Sequence, residues 1–99
     1  MKPALTMSRI SRALDAAAVL FDVPRRAIAG NSRTRPAAHA RQAVYAALYL
    51  SCHTSFADVG KALGRDHTTV IYGVRQAEQL SARDEDYAAA LQLVREALH

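Results

Sequence analysis

A short polar cluster opens the stretch GRDHTTVIYGVRQ, where an aspartate, a histidine and two threonines follow one another from Asp66 to Thr69. An apolar run begins directly after them with Val70 and Ile71. Residues of these types occur in nuclease sites, in metal sites and at the tips of helices that read the edges of DNA bases. The spacing of the other residues in the chain bears on which chemistry applies.

The polar cluster suits base recognition, because each side chain has a partner on a base edge or a phosphate. The carboxylate of Asp66 can accept from cytosine N4, and Thr68 can bond a base edge or touch a thymine methyl. His67 can do either through its ring. Thr69 and the first helix amides lie where the helix dipole favours a phosphate. A structural role is the alternative, with Asp66 and the threonines as caps and His67 as a surface histidine.

An enzyme is a second interpretation, with Asp66 and His67 as a nuclease dyad or with His39, His53 and His67 as a metal cluster. Metal-ligating histidines usually lie close together on a helix or beside carboxylates, whereas these three are far apart in the sequence. No nucleophile, base and orienting group occur together. We therefore expect no enzymatic activity, no metal and no cofactor.

The composition favours a helical domain with a basic first half. Of the 99 residues, 51% are hydrophobic, none is Trp and 6% are aromatic, so the core must be aliphatic and rich in alanine, the best helix former. The formal net charge is +4. Residues 1–41 carry eight Lys or Arg against two acidic residues, whereas residues 81–99 carry two against four. A basic face attracts a polyanion, although an arginine-rich composition also follows from GC-rich codons.

The cysteine content and the apolar runs bear on the compartment. Cys52 is the only cysteine, which excludes an intrachain disulfide and a cysteine-based zinc site and favours a small buried thiol. No apolar run approaches the length of a membrane span, and the N-terminus lacks the hydrophobic region of a signal peptide. We expect one domain over residues 1–99 in a cytoplasmic, nucleoid-associated protein that does not bind membranes.

Apolar residues at helical spacing predict about six helices. The first is capped by Ser8, and its buried stripe consists of Ile10, Leu14, Ala17 and Phe21. A short helix follows Pro24 and ends before Gly30. A longer helix opens at Pro36 and ends near His53. Its apolar surface comes from Ala40, Val44, Ala47, Leu48 and Leu50.

The next two predicted helices form a close pair. Ser55 and Asp58 make a capping box for a helix that stops at Gly64, and Asp66 caps the next helix, residues 66–80. The apolar side chains expected on the pair are Phe56, Val59, Ala62, Leu63, Val70, Ile71, Val74 and Ala77. A turn of about two residues between them predicts a helix-turn-helix, whose second helix points its start into the major groove of DNA.

The last predicted helix begins at Ser81, which forms a second capping box with Asp84. Its apolar stripe consists of Tyr87, Leu91, Val94 and Leu98. Its acidic start and the Arg25–Arg26 pair suggest a third interpretation, a protein-interaction module. That role is compatible with DNA binding, because a regulator without catalytic parts must contact RNA polymerase or another regulatory protein.

Three segments, GRDHTTVIYGVRQAE, SRTRPAAHARQAVYAALYL and VLFDVPRRAIAG, resemble the C-terminal DNA-binding domain (domain IV) of the bacterial replication initiator DnaA. The resemblance covers residues 8–98. It implies an all-α fold of about six helices around a central helix-turn-helix, similar to Trp repressor, with double-stranded DNA as the partner.

The resemblance also implies roles for individual residues. Arg33 in the basic loop corresponds to an arginine that enters the minor groove, which is narrow and strongly negative in A·T-rich DNA. Asp66, His67 and Thr68 correspond to the major-groove readers. Phosphate contacts are implied for Arg35, Arg41, Gln42 and Thr69. Two further candidate contacts are Arg65 and Ala57.

Several departures from the family pattern affect the target sequence more than DNA binding itself. A single Gly64 stands where the family has Gly-Gly, which shortens the turn and can alter the angle of the recognition helix. His39 stands at a usual arginine position, and Tyr72 and Gly73 replace His-Ala. Ala57 stands where the family often has a proline touching a thymine methyl, so that contact is weakened.

No GxxxxGK[ST] phosphate loop accompanies these motifs, so this chain alone is not expected to hydrolyse ATP or melt an origin. We predict sequence-specific binding of double-stranded DNA by a bacterial or phage-derived transcriptional regulator, or by the DNA-binding domain of one. The alternative is the isolated DNA-binding domain of a replication initiator, or a small initiator-like protein that competes for origin boxes. A preference for boxes resembling TTATNCACA would indicate the alternative.

Overall fold

The computed structural model describes residues 1–99, which form six α-helices. The helices are Met7–Leu20 (α1), Arg25–Ala29 (α2), Arg35–Ser51 (α3), Phe56–Leu63 (α4), His67–Arg83 (α5) and Glu85–Glu96 (α6). The predicted all-α fold is confirmed. The only extended pairing is an isolated parallel bridge between Ala4 and His53. No helix combines the length and the apolar composition needed to cross a membrane.

Local capping residues set both ends of α4 and the start of α5. The hydroxyl of Ser55 accepts from the backbone N–H of Asp58 at 3.1 Å and begins α4. Gly64 ends α4 in the left-handed conformation, with φ of 67°, which suits a residue without a Cβ. Asp66 caps α5. The caps predicted at Ser55, Gly64 and Asp66 are therefore confirmed.

Two other predicted caps are wrong. The hydroxyl of Thr6, rather than that of Ser8, accepts from the backbone N–H of Arg9 at 3.2 Å, so Ser8 already lies inside α1. Ser81 lies inside α5, because no residue stops that helix before Asp84. The carboxylate of Asp84 caps α6 alone, accepting from the N–H groups of the second and third residues of that helix.

Helix α3 is the centre of the core and packs against α1, α5 and α6. Nine of its 17 residues are buried, most of them alanines, as the composition predicts. Cys52 directly after it is buried with a free thiol. Predicted core residues that are buried outside α3 include Ile10, Leu14, Ala17, Val59, Val70, Val74, Ala77, Tyr87, Leu91, Val94 and Leu98.

One predicted core residue, Ala62, is exposed. Successive residues on a helix are rotated by about 100°, so Ala62 lies about 110° from the middle of the side that Val59 and Gly60 bury, whereas Leu63 lies close to that middle. Ala62 therefore faces solvent, while Leu63 is half-buried.

The crossing of α3 and α5 depends on a glycine. A Cβ at Gly73 would overlap the ring of Tyr45, and Tyr45 is only 2% exposed, so its ring has little room to move. Glycine costs about 1 kcal/mol relative to alanine inside a helix. Glycine at this position, where the resemblance noted above implies an alanine, thus has a structural reason: the Tyr45 ring occupies the space of the methyl group.

Candidate nucleic-acid interface

Helices α4 and α5 form the predicted helix-turn-helix, and the residues from Gly64 to Asp66 join them. The N–H of Arg65 donates to the carbonyl of Gly60 at 2.8 Å and closes the turn. The Arg65 carbonyl lies so near Gly60 that a Cβ there would be 2.5 Å from it. A turn with the single Gly64 is therefore closed tightly against α4, and α5 starts directly after it.

The tip of α5, which we define as Asp66 to Thr69, points away from the core. Asp66, His67, Thr68 and Thr69 are all exposed, whereas Val70 is fully buried. The same helix therefore anchors itself through Val70 and the apolar residues that follow, and presents four hydrogen-bonding side chains to solvent. This is the arrangement that reading a base edge requires.

The carboxylate of Asp66 organises this tip. Its Oδ1 accepts from the backbone N–H of Thr68 at 3.4 Å, and its Oδ2 accepts from the Thr68 hydroxyl at 3.1 Å. The Nδ1 atom of His67 lies 3.1 Å from Oδ1. The hydrogen bonds from Thr68, with a smaller effect of His67, lower the pKa of Asp66. An ionised carboxylate has about four acceptor positions, so capping leaves acceptor capacity for DNA.

The basic loop, residues 30–34, joins α2 to α3 and carries Arg33. Arg33 and Arg35 are exposed, and neither takes part in an intramolecular ion pair. Helix α3 begins without a side-chain cap at Thr34 and without an acidic residue in its first turn. Because a helix N-terminus carries partial positive charge, the start of α3 and these two guanidinium groups together form a site of positive potential.

Arg41 holds the basic loop from the inside. Its Nε donates to the carbonyl of Ile28 at 2.8 Å, and its Nη2 donates to the carbonyls of Ala27 at 2.6 Å and Ser32 at 3.1 Å. Burial lowers the pKa of Arg41, against a smaller opposite effect of Tyr45. These bonds use Nε and Nη2, so Nη1 is the part of the guanidinium that can bind a phosphate.

Arg65 holds the same loop from the turn of the helix-turn-helix. Its Nη1 donates to Oδ1 of Asn31 at 2.8 Å, and its Nη2 donates to the carbonyls of Ala29 at 3.2 Å and of Gly30. Arg65, which directly precedes Asp66, therefore links the turn of the helix-turn-helix to the loop that carries Arg33.

A cleft of about 540 Å³ lies between the basic loop and α5. It brings together four of the predicted DNA contacts, which are Arg33, Arg41, Arg65 and Thr69. A second depression of about 180 Å³ adds Gln42 to Arg41 and Thr69. Arg35 and Ala57 line neither depression. Ala57 is exposed as the second residue of α4.

Two tyrosines at this surface carried no predicted role. Tyr72 is 61% exposed on α5 and shares a depression with Thr68 and Arg75, one turn on from the tip. Tyr45 on α3 lines the cleft, and its buried hydroxyl has no hydrogen-bond partner. An isolated glycine in a helical pattern, Gly73, was the available signal that a large side chain packs there.

The histidines of the metal interpretation lie in three different places. His39 is in the first half of α3, His53 follows the end of that helix, and His67 is the first residue of α5. No group of three or more His, Cys, Asp or Glu residues is arranged to hold a metal ion.

The sequence profile of the family described as "Bacterial dnaA protein helix-turn-helix" matches residues 10–77. That range contains every predicted DNA-contacting residue.

Curated relatives share this similarity. The "Chromosomal replication initiator protein DnaA" of Cereibacter sphaeroides is 44% identical over 71 residues, which are 70% of this chain and 15% of the relative. The protein of that name from Mesorhizobium japonicum is 38% identical over 79 residues, 76% of this chain and 16% of the relative. That from Sphingopyxis alaskensis is 33% identical over 100 aligned residues, 99% of this chain and 21% of the relative. The chain thus spans about a fifth or less of the length of these relatives.

Proposed function

Because this chain belongs to the bacterial DnaA helix-turn-helix family, we propose that it binds double-stranded DNA sequence-specifically, as the box-binding domain of a replication initiator or as a small initiator-like protein. The observation that carries the proposal is the exposed polar tip of α5, which stands beside a cleft lined by Arg33 and Arg41. A tip that reads bases and a cleft that holds the backbone are the two parts that sequence-specific binding needs.

We favour a role in replication initiation. The sequence alone had favoured transcriptional regulation. The similar proteins are all named as chromosomal replication initiators. Contacts with RNA polymerase or another regulatory protein, and association with the nucleoid, remain predictions that follow from DNA binding.

In the major groove, the tip presents mainly acceptors. The Thr68 hydroxyl donates a hydrogen bond to Asp66, so towards DNA its oxygen can act as an acceptor. The Thr68 methyl can touch a thymine methyl. The remaining lone pairs of Asp66 can accept from cytosine N4. His67 supplies a ring nitrogen as donor or acceptor. We expect the tip to select bases that offer amino donors and methyl groups.

Phosphates are held on both sides of the tip. Thr69 lies in the first turn of α5, where the helix amides and dipole favour an anion. Nη1 of Arg41 and the side chain of Gln42 line the same depression as Thr69. Arg35 at the start of α3 offers a separate cation. Arg33 is free to enter the minor groove, where A·T-rich DNA attracts arginine most strongly.

The Asp66–His67 pair needs no catalytic explanation. Its carboxylate is engaged in capping α5, and its proximity to His67 follows from their being neighbours in the chain. We therefore propose a binding function and no enzymatic activity for this chain, tested by the absence of cleavage when plasmid DNA is incubated with the protein and divalent cations.

Selection of bound duplexes from a random library tests the main proposal. We expect enrichment of one motif that resembles TTATNCACA. Enrichment of an unrelated motif would favour a diverged regulator over an initiator-type protein. If no motif is enriched and no duplex binds at low salt, sequence-specific DNA binding is wrong for this chain.

A further inference from the structure

Arg65 stands at the junction between the two regions that face DNA. Its neighbour in the chain, Asp66, caps α5 and begins the tip. Its guanidinium contacts Ala29 at the end of α2 and Gly30 and Asn31 in the basic loop, which are 34 to 36 positions away in sequence. Arg33 follows Asn31 by two positions in the sequence. A single side chain thus connects the start of the recognition helix to the loop with the minor-groove arginine.

The backbone of Arg65, from which this connection starts, is packed closely against α4. The Arg65 N–H donates to the Gly60 carbonyl at 2.8 Å, and the Arg65 carbonyl oxygen would lie only 2.5 Å from a Cβ at Gly60. The side chain is partly buried rather than free in solvent. The guanidinium therefore starts from a fixed backbone and reaches its three acceptors as a planar fork.

The loop has few contacts of its own. Within it, the hydroxyls of Ser32 and Thr34 lie 3.3 Å apart, but Thr34 makes no side-chain cap for α3. At its two ends, the N–H of Gly30 donates to the carbonyl of Arg26, and the carbonyl of Thr34 accepts from the N–H of Ala38, both at 2.9 Å. The remaining hydrogen bonds of the loop go to Arg41, through the Ser32 carbonyl, and to Arg65. Without Arg65, the segment from Ala29 to Asn31 would lose all three of these side-chain bonds.

We propose that Arg65 is a positioning residue that sets the spacing between Arg33 and the tip of α5, so that both grooves are read by one rigid body. The proposal rests on the function proposed above. It assigns Arg65 a role in specificity through Arg33, in place of a direct contact with DNA. A loop that is held in place before binding loses less conformational entropy when it binds, and this smaller loss favours binding.

A lysine at position 65 separates the two roles. Lysine keeps the charge and can still attract a phosphate, but its ammonium is a compact point charge that cannot span three acceptors as a fork. If Arg65 positions the loop, Arg65→Lys should behave like a loss of the residue. If Arg65 contacts a phosphate, Arg65→Lys should behave like the wild type.

The experiment is a double-mutant cycle on the 99-residue chain. Dissociation constants are measured by fluorescence anisotropy for a duplex carrying the selected motif, with either an A·T-rich or a G·C-rich flank. The variants are Arg33→Ala, Arg65→Lys and both together. Arg75→Ala, alone and with Arg33→Ala, is the matched control, because Arg75 is an exposed arginine of α5 away from the loop. Circular dichroism confirms that each variant is folded.

We expect Arg65→Lys to weaken binding of the A·T-flanked duplex roughly tenfold and to abolish most of the preference for that flank. Arg33→Ala should then add little further loss in the Arg65→Lys background. In the Arg75→Ala background, Arg33→Ala should keep its full effect, within about twofold. The dependence of affinity on salt should not change for Arg65→Lys, because the number of charges is the same. Asn31→Ala removes one acceptor and should act in the same direction more weakly.

Two results would overturn the proposal while leaving DNA binding intact. One is wild-type affinity and flank preference for Arg65→Lys. The other is full additivity of the Arg33→Ala and Arg65→Lys losses. Failure of the wild-type chain to bind any duplex would instead overturn the proposed function, and this inference with it.

Discussion

The tip of α5 and the basic loop face the same cleft, but contacts of different range hold them. In the tip, Asp66 accepts from Thr68, two positions away. In the loop and the end of α2 before it, the acceptors of Arg41 and Arg65 lie 9 to 36 positions away from their donors. The tip is therefore fixed by its own sequence, whereas the loop is fixed only when the whole chain has folded.

Because of this difference, side chains of the tip contribute mainly to DNA affinity, whereas the arginines that hold the loop also contribute to folding stability. The side chains of His67, Thr68 and Thr69 can be removed with little effect on the fold, because they are exposed and Asp66 still caps α5. The arginines beneath the loop combine both roles, since their guanidinium groups satisfy backbone carbonyls and also line the cleft. Substitutions in the two regions should therefore give different ratios of lost stability to lost DNA affinity.

The largest effect is expected for Arg41→Ala. It removes three hydrogen bonds to the carbonyls of Ala27, Ile28 and Ser32, and we expect the free energy of unfolding to fall by about 2–3 kcal/mol. Binding to all duplexes should weaken, and the slope of log affinity against log salt should flatten by about one unit. Urea denaturation and salt titrations measure the two effects. An unchanged free energy of unfolding would show that the loop does not depend on Arg41.

In the tip, His67→Ala should have the opposite profile. We expect a loss of about 1–3 kcal/mol in affinity for the selected duplex, little change for random duplexes and little change in thermal stability. Thr68→Ala should behave similarly, apart from losing its hydroxyl bond to Asp66. Competition titrations with selected and random duplexes measure the difference. Equal losses on both would mean that neither side chain reads a base.

Asp66→Asn separates capping from base reading within the tip. Asparagine caps a helix about as well as aspartate, so we expect the melting temperature to stay close to that of the wild type. The amide offers a donor as well as an acceptor and pairs best with adenine rather than with the cytosine amino group. Repeating the library selection with Asp66→Asn should change one position of the enriched motif. An unchanged motif would assign Asp66 to capping alone.

The range of contacts also explains how much could be predicted from the sequence. The helix-turn-helix was predictable because Ser55, Gly64 and Asp66 act on residues within a few positions of themselves. The outward direction of the tip followed from the apolar run that begins at Val70. The caps predicted at Ser8 and Ser81 were wrong because another capping residue lies close to each. Thr6 caps α1 in place of Ser8, and Asp84 caps α6 in place of Ser81.

The part of the site that could not be predicted depends on tertiary packing. Nothing in the spacing of Arg65 indicates that its partners are Ala29, Gly30 and Asn31. Likewise, Tyr45 and Gly73 are matched in size only because α3 and α5 cross at that point. The chemistry of these residues was visible in the sequence, but the partner of each was not.

The smallest effect, and the one that isolates charge from structure, is expected for Arg35→Ala. Arg35 is exposed and begins α3, so its removal should leave the free energy of unfolding within about 0.5 kcal/mol of the wild type. If it contacts one phosphate, the salt slope should flatten by about 0.9 units on every duplex, whatever its sequence. Arg26→Ala is the control, because Arg26 is also an exposed arginine but lies in α2 and is not a predicted DNA contact. Equal slopes for Arg35→Ala and wild type would remove Arg35 from the phosphate contacts and leave Arg41, Gln42 and Thr69 to hold the backbone.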